Sequence, residues 1–151
     1  MVENNQVLSD SKQYIVVKID NEQYGIDIGY VDNIVRMQRI TRVPMAQPYF
    51  KGVINLRGDV IPVMSMRLKF ELETDEISNK TRIIIIKTDQ QALVGILVDE
   101  VKEVVTLEDS EIEKVMHDKN KEDQSVYLTG IGKHAGELIS LLNIVTVIED
   151  D

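Results

Sequence analysis

The hydrophobic positions of this 151-residue chain fall into short runs that are separated by polar turns. Aromatic and β-branched residues fill "QYIVVKID", and "YGIDI" follows after the turn signal "DNEQ". Three further pairs of runs come later: "GVINL" with "VIPVM", "TRIIIIKTD" with "ALVGILVDEV", and "VYLTGIG" with "ELISLLNIV". Four hairpin-like units joined by polar turns predict an all-β protein built of barrels or sandwiches.

Helical periodicity is sparse. Ile28, Val31, Ile34 and Val35 have the spacing of one face of a short helix, whose start Asp27 can cap. A weaker helical pattern lies in "SEIEKVM" (110–116), where a Ser and a Glu match a capping box, and "MRLKF" can add a single turn. We therefore expect a few short helices.

Two polar segments bear on the organisation of the chain. The charged residues 116–125 lack apolar periodicity and predict a loop. The polar "ELETDEISNK" (71–80) is the better internal boundary, and it divides the chain into halves with two predicted hairpins each.

The charge of the chain is −9 overall and is unevenly distributed. Residues 1–75 carry −1 and residues 76–151 carry −8, and an acidic surface of that kind repels nucleic acid. The local exception is "RMQRITR", which places Arg36, Arg39 and Arg42 close together. This basic stretch is either a solvated edge or a contact surface for an acidic partner.

The residues that most enzymes need are scarce. Cysteine is absent, and the two histidines, His117 and His134, stand apart in polar segments, so neither thiolate chemistry nor a zinc site is expected. No G-x-S-x-G or Walker motif is present. The acidic amino terminus does not resemble a signal peptide, and no apolar stretch is long enough to span a bilayer. We expect a soluble, cytoplasmic protein with no catalytic activity, metal or cofactor.

One motif is much more specific than a hairpin requires. In "GVINLRGDVIPV", the order of Gly52, Asn55, Leu56-Arg57-Gly58 and Pro62 closely resembles the central motif of the CheW family of chemotaxis adaptors. "EQYGIDI", "ITRVPMAQPYFKG", "LVGILVDEVKEVV" and "YLTGIGKHAGELISLLNI" are similar to other family segments in the same order. The resemblance covers residues 12–149.

The resemblance implies a fold and a function. It implies a single CheW-like domain over residues 12–149, made of two small SH3-like β-barrels packed together, after a flexible tail at residues 1–11. CheW-like proteins are non-catalytic and link methyl-accepting chemoreceptors to the regulatory domain of the histidine kinase CheA. The helical tip of the receptor lies in a groove between the barrels. By resemblance, the protein is cytoplasmic and is recruited to receptor arrays.

Site residues carry over by position. The residues matching the receptor groove and its motif are Val31, Ile34, Val35, Gly52, Arg57, Gly95, Val98, Val101 and Val104. The residues matching kinase-facing positions are Thr41, Val43, Ile112 and Glu113. Each has a structural alternative: an apolar residue can belong to the core, a glycine can satisfy backbone geometry, and an arginine can pair across a turn.

The sequence also departs from the family pattern. Met64-Ser65-Met66 stands where the family has an apolar residue, Asp and Leu, although Ser65 can still cap a following turn. Asn33 stands where the family commonly has Glu, with Asp32 beside it. Because that glutamate is a candidate receptor contact, we expect an altered receptor preference.

Two further interpretations stay open. A CheW-like scaffold of a non-chemotaxis pathway, or a CheV-type coupling protein, keeps the fold and changes the setting. A small-ligand or oligonucleotide-binding barrel belongs to another class and needs basic grooves interleaved with aromatic residues. Seven Phe and Tyr residues and a charge of −9 argue against that barrel.

Overall fold

The computed structural model describes residues 11–44, 46–115 and 124–149. The two α-helices of this part are α1 (Met66–Lys69) and α2 (Ile144–Glu149), and short 3-10 turns occupy Ile28–Tyr30, Asp109–Glu111 and Gln124–Tyr127. Its strands are β1 (Ser11–Ile19), β2 (Glu22–Asp27), β3 (Val31–Arg36), β4 (Phe50–Leu56), β5 (Asp59–Ser65), β6 (Arg82–Lys87), β7 (Leu93–Val98), β8 (Glu100–Glu108), β9 (Ile112–Lys114), β10 (Leu128–His134) and β11 (Glu137–Leu142).

The strands form two sheets, which confirms the all-β prediction. We call the six-stranded sheet, with the order β8-β1-β2-β11-β10-β9, the terminal sheet, because it contains both ends of the described chain. The five-stranded central sheet has the order β3-β6-β7-β5-β4. All four predicted hairpins are present as antiparallel pairs. β8 also approaches β10, which curves the terminal sheet toward a barrel.

The predicted boundary at residues 71–80 does not divide the chain into the two sheets. β6 and β7 follow that segment, yet they pair with β3 and β5, which precede it. β1 and β2 pair with β8 and β11 from the far end of the chain. We expected each half of the chain to form one unit from its own two hairpins. Instead, each sheet combines strands from both halves, because strands that are distant in sequence pair with each other.

Three apolar clusters form the core. One lies inside the terminal sheet and includes Val16 and Leu107, and another lies inside the central sheet and includes Ile83 and Ile85. The third and largest draws residues from both sheets, among them Ile84, and we call it the inter-sheet core. Because side chains alternate along a strand, the "IIII" of β6 contributes to the central-sheet cluster and to the inter-sheet core in turn.

An arginine and an aspartate fasten α1 to the connection between the two sheets. Arg67 of α1 donates from Nε to Asp99 Oδ1 at 2.9 Å and from Nη2 to Asp99 Oδ2 at 2.7 Å. Asp99 lies between β7 of the central sheet and β8 of the terminal sheet, and it also accepts from the backbone N–H of Asp20 at 2.8 Å. The hydrogen bond to Asp99 raises the pKa of Arg67 above its ordinary value.

The predicted helix over residues 28–35 is wrong. Residues Ile28–Tyr30 form a single 3-10 turn, in which Asp27 accepts from the N–H of Gly29 at 2.9 Å, and β3 follows at Val31. A β-bulge between Val31 and Asn33 shifts the register, so that Val31 pairs with Ile86 and Ile34 pairs with Ile84. Because of the bulge, Val31 and Ile34 lie on the same face of β3 although they are three residues apart, and this spacing resembles that of a helix.

Other local expectations have mixed outcomes. The helix predicted over residues 110–116 is wrong, because residues 112–114 pair with Gly130–Gly132 as β9. A capping box forms two residues earlier than predicted, between Glu108 and Glu111. The single turn in "MRLKF" is confirmed as α1. The predicted tail and most of the predicted loop at 116–125 lie outside the described residues.

Ser65 fulfils the expected capping role. Its hydroxyl oxygen accepts from the N–H of Leu68 at 3.1 Å, which starts α1. The same hydroxyl donates to Asp75 Oδ2 at 2.5 Å. Ser65 is fully buried. The family pattern led us to expect an aspartate at this position, and here Asp75, from the segment after α1, brings a carboxylate to Ser65.

Candidate functional site

Four of the expected receptor-facing residues border the inter-sheet core at two sheet edges. β3 is an edge strand of the central sheet and β8 is an edge strand of the terminal sheet. Ile34 pairs with Ile84, and Val104 pairs with Ile15, so both face the side on which the inter-sheet core lies. Val31 and Val101 pack against that core directly. We call Val31, Ile34, Val101 and Val104 the edge groove, after the receptor groove whose positions they match in the family resemblance.

The edge groove exposes apolar surface. Ile34 is 36% exposed and Val104 is 51% exposed, whereas Val31 and Val101 are half-buried. Ile34 and Val104 thus lie at the rim of the inter-sheet core, and an apolar partner that packs against them would extend this core. Exposed apolar side chains of this kind are what the apolar stripe of an amphipathic helix packs against.

Arg57 lies at the tip of a tight hairpin. Leu56 and Asp59 are the last paired residues of β4 and β5, and Arg57 and Gly58 form the two-residue turn with φ of 54° and 87°. Two left-handed residues are the requirement of a type I′ turn, for which Asn-Gly is the favoured sequence. The side chain of Arg57 is exposed and forms no ion pair with any residue that the structure describes. The proposed pairing across the turn is therefore not observed there.

Replacing Arg57 by asparagine tests separately the effect of this residue on the stability of the protein and its effect on receptor binding. Asn tolerates the left-handed conformation better than Arg, so we expect Arg57→Asn to keep or raise the free energy of unfolding, by up to about 1 kcal/mol. If the exposed guanidinium contacts the receptor, the same variant loses receptor affinity. Urea unfolding and binding of a receptor-tip fragment measure the two effects. A variant that is destabilised by several kcal/mol would contradict the assignment of Arg57 to a free surface.

A cleft of about 480 Å³ joins the Arg57 turn to β3. Asp59 beside the turn and Asp32 beside Val31 both line it, together with Lys87. In the sequence, Asp32 stands out only as a neighbour of Asn33 and has no visible connection with the turn. The connection depends on the packing of β3, β5 and β6 in one sheet, for which the sequence carries no local signal.

The remaining receptor-facing candidates are half-buried or buried. Val35 is half-buried against the central-sheet cluster, and Val98 is 1% exposed within the inter-sheet core. Gly52 and Gly95 are buried, and a Cβ at Gly95 would come within 2.9 Å of Ile83. In this structure these residues offer little or no surface to a partner, so any effect on binding would pass through the residues packed around them.

The expected kinase-facing residues lie at the other edges of the sheets. Thr41 forms an isolated bridge with Val53 outside the edge strand β4, and Val43 nearby is 44% exposed. Ile112 and Glu113 lie on β9, the edge strand of the terminal sheet that is opposite to β8 in the strand order. Ile112 is half-buried and Glu113 is exposed.

No catalytic constellation was found in the described part of the chain. Among those residues, no group of three or more His, Cys, Asp or Glu side chains is arranged to hold a metal ion. His134 ends β10 and is half-buried, and His117 is not described. None of the described helices has the length and apolar character needed to cross a membrane.

Two packed β-sheets with exposed apolar side chains at their edges are typical of a protein-binding module, and comparison with known proteins identifies its family. The CheW-like domain family matches residues 13–151, so the chain belongs to the CheW family. Chemotaxis protein CheW of Bacillus subtilis is 35% identical over 144 residues, which cover 95% of this chain and 91% of that protein. The Helicobacter pylori protein of the same name is 32% identical over 149 residues, with 99% and 86% covered.

A solved structure supports the same assignment. The scaffolding protein TtCheW from Thermoanaerobacter tengcongensis superposes with a TM-score of 0.82 at 30% sequence identity. The superposition covers 93% of this chain and 94% of that protein. The two-sheet architecture is therefore the CheW scaffold fold, as the sequence resemblance predicted.

Proposed function

We propose that this protein is a non-catalytic, cytoplasmic chemotaxis adaptor that couples methyl-accepting chemoreceptors to the histidine kinase CheA. The observation that carries the proposal is the separation of two kinds of edge. Ile34 lies on β3 at one edge of the central sheet, whereas Thr41 bridges β4 at the other edge of the same sheet. An adaptor that holds two partners at once needs surfaces that do not overlap.

The edge groove suits the helical tip of a receptor. An amphipathic helix buries an apolar stripe in such a groove, and Ile34 and Val104 provide exposed apolar side chains for it. The exposed guanidinium of Arg57 offers five donors to a carboxylate or a backbone carbonyl of the receptor. Relatives that are chemotaxis proteins, and a structural neighbour that is a scaffolding protein, support this assignment.

A bridging assay tests the function directly. The purified regulatory domain of the chemotaxis kinase from the same genome is immobilised, and a soluble receptor-tip fragment is passed over it with and without this protein. We expect retention of the receptor fragment to depend on the protein. A protein that binds neither partner at about 100 μM, where a complex with a Kd of about 10 μM is about nine-tenths formed, would contradict the proposal. If the protein instead binds a receptor and a kinase of another signalling system, it is the scaffold of a non-chemotaxis pathway.

A further inference from the structure

A cleft of about 450 Å³ lies at one end of the terminal sheet. β1 and β10 begin at this end, and β2, β9 and β11 finish there, as the directions of their pairing require. Four charged residues line the cleft, the cations Lys12 and Lys114 and the anions Asp27 and Asp109. We call it the terminal cleft. Its volume is in the range of small-molecule sites, which often occupy the mouths of β-barrels.

A buried tyrosine reaches the terminal cleft from the core. Tyr14 is 8% exposed, packs in the apolar cluster of the terminal sheet and lines the cleft. Its hydroxyl group forms no hydrogen bond with a residue that the structure describes. Burial raises the pKa of Tyr14 above its ordinary value, and the carboxylates of Asp27 and Asp109 add to the rise. The hydroxyl and both carboxylates therefore converge on one part of the cleft, where a ligand can supply the missing hydrogen bond.

Two of the four charges at the terminal cleft lack a partner within the described residues. Lys12 Nζ lies 3.8 Å from Asp27 Oδ2, and the side chain of Lys12 is 66% exposed, so this pair is weak. Asp109 and Lys114 form no ion pair with any residue in the described ranges. They belong to different elements, the 3-10 turn after β8 and the end of β9. A ligand with one positive and one negative group would satisfy both.

Apolar and amide groups complete the terminal cleft. Ile112 is half-buried and Leu141 is buried, and both line it. Asn143 also lines it, and its Oδ1 accepts from the N–H of Thr146 at 3.2 Å. This hydrogen bond fixes the amide and leaves its NH2 group as a donor. The complementary occupant therefore has an apolar portion in addition to its two charges.

We propose that the terminal cleft binds a small apolar zwitterion, an amino acid or a dipeptide with an aliphatic side chain. Its ammonium group pairs with Asp109 and hydrogen-bonds to the hydroxyl of Tyr14, and its carboxylate pairs with Lys114. The aliphatic side chain packs against Ile112 and Leu141. This site is separate from the edge groove, and its occupation does not depend on the proposed function.

Three other roles compete with a zwitterion site. Lys12 and Lys114 could bind a simple carboxylate, and Asp27 and Asp109 could bind a simple amine. In each case, however, the single charge of the ligand would also meet two like charges in the same cleft. In the third role, a protein partner covers the cleft at the edge strand β9, and no small molecule enters it.

Three related dipeptides test the proposal on the wild-type protein. Leucyl-leucine should cause saturable amide shifts at Tyr14, Ile112 and Leu141 of the isotope-labelled protein, with a Kd of about 1 mM. N-acetyl-leucyl-leucine lacks the ammonium group and leucyl-leucine amide lacks the carboxylate, so each should bind at least about tenfold more weakly. Free leucine distinguishes the two sources of this chemistry. Tighter binding of leucine than of leucyl-leucine identifies an amino-acid site, and weaker binding identifies a dipeptide site.

A variant locates the ammonium group of the ligand. Asp109→Asn should weaken the binding of leucyl-leucine about tenfold. It should leave the binding of N-acetyl-leucyl-leucine unchanged, because that dipeptide has no ammonium group to lose a partner. Asp89→Asn is the matched control, since this exposed aspartate lies between β6 and β7 of the central sheet, and it should bind leucyl-leucine as the wild type does.

Several outcomes would overturn the zwitterion site. One is the absence of saturable shifts with leucine and leucyl-leucine at about 20 mM, which would leave the cleft to water or to a protein partner. Equal affinity for all three dipeptides, or tighter binding of either singly charged one, would also overturn it. So would an unchanged affinity of Asp109→Asn for leucyl-leucine. If that variant does not fold, the three dipeptides on the wild-type protein still decide the result.

Discussion

Replacing Gly52 by alanine is expected to lower the free energy of unfolding by about 3 kcal/mol or more. Gly52 has a φ of 138°, a backbone conformation that side-chain-bearing residues rarely adopt. A Cβ there would lie 2.1 Å from the carbonyl oxygen of Thr41 and 2.9 Å from Cγ2 of Ile40. Thr41 and Val53 exchange two hydrogen bonds of 2.8 Å across this point, so relief of the clash would break the bridge.

Gly136→Ala is the matched control for this prediction. Gly136 also has a positive φ, of 80°, but a Cβ at this position would meet nothing within 4 Å. Its replacement therefore costs only the backbone strain, about 1 to 2 kcal/mol. Urea unfolding followed by circular dichroism measures both variants. Equal losses for Gly52→Ala and Gly136→Ala would show that the close approach of Thr41 is unimportant.

The Gly52 result bears on function as well as stability. The bridge holds the backbone that carries Thr41 and Val43, the expected kinase-facing edge. We therefore expect Gly52→Ala to weaken binding of the kinase regulatory domain more than it weakens binding of the receptor-tip fragment. Gly52 would then contribute to binding by positioning its neighbours.

Introducing aspartate at both Ile34 and Val104 should reduce receptor-tip affinity by about a hundredfold or more. The two side chains are the exposed members of the edge groove, and a carboxylate buried under an apolar helix has no partner for its charge. Both positions are at least 36% exposed, so the free protein should remain folded. Calorimetric titration with a receptor-tip fragment measures the loss.

Two controls make this result specific to the groove. Leu138→Asp introduces one aspartate at an apolar residue of β11 that is 61% exposed, and it should leave receptor affinity unchanged, whereas each single groove variant, Ile34→Asp or Val104→Asp, should lower it. The groove variant itself should still bind the kinase regulatory domain with wild-type affinity. A groove variant that retains receptor affinity would place the receptor contact elsewhere on the molecule.

The sequence predicted strands well where the signal was local. The pairing of "GVINL" with "VIPVM" depends on β-branched runs around a two-residue turn, and Gly58 supplies one of its left-handed positions. The error at residues 28–35 came from the bulge between Val31 and Asn33, which gives strand residues a helix-like spacing. Only the partner strand β6 reveals the bulge, and β6 lies far from β3 along the chain.

The candidate site was predicted less completely than the fold. The motif singled out Arg57. Burial distinguishes the exposed Ile34 and Val104 from the half-buried Val35 and the buried Val98, and burial depends on packing across both sheets. A cleft of about 380 Å³ beside the Thr41 bridge was visible in the sequence only through the run of arginines, of which Arg42 lines it. Its apolar lining includes Leu68 of α1, which the chain brings to β4 through tertiary contacts alone.

Amide chemical-shift mapping of isotope-labelled protein is the most direct test of the two-partner adaptor. The kinase regulatory domain is titrated first, and the receptor-tip fragment is then added to the same sample. We expect the kinase to shift amides around Thr41 and Val43, and the receptor afterwards to shift β3 and β8 without displacing the kinase. Shifts from both partners on one shared surface, or displacement of one by the other, would contradict a two-partner adaptor.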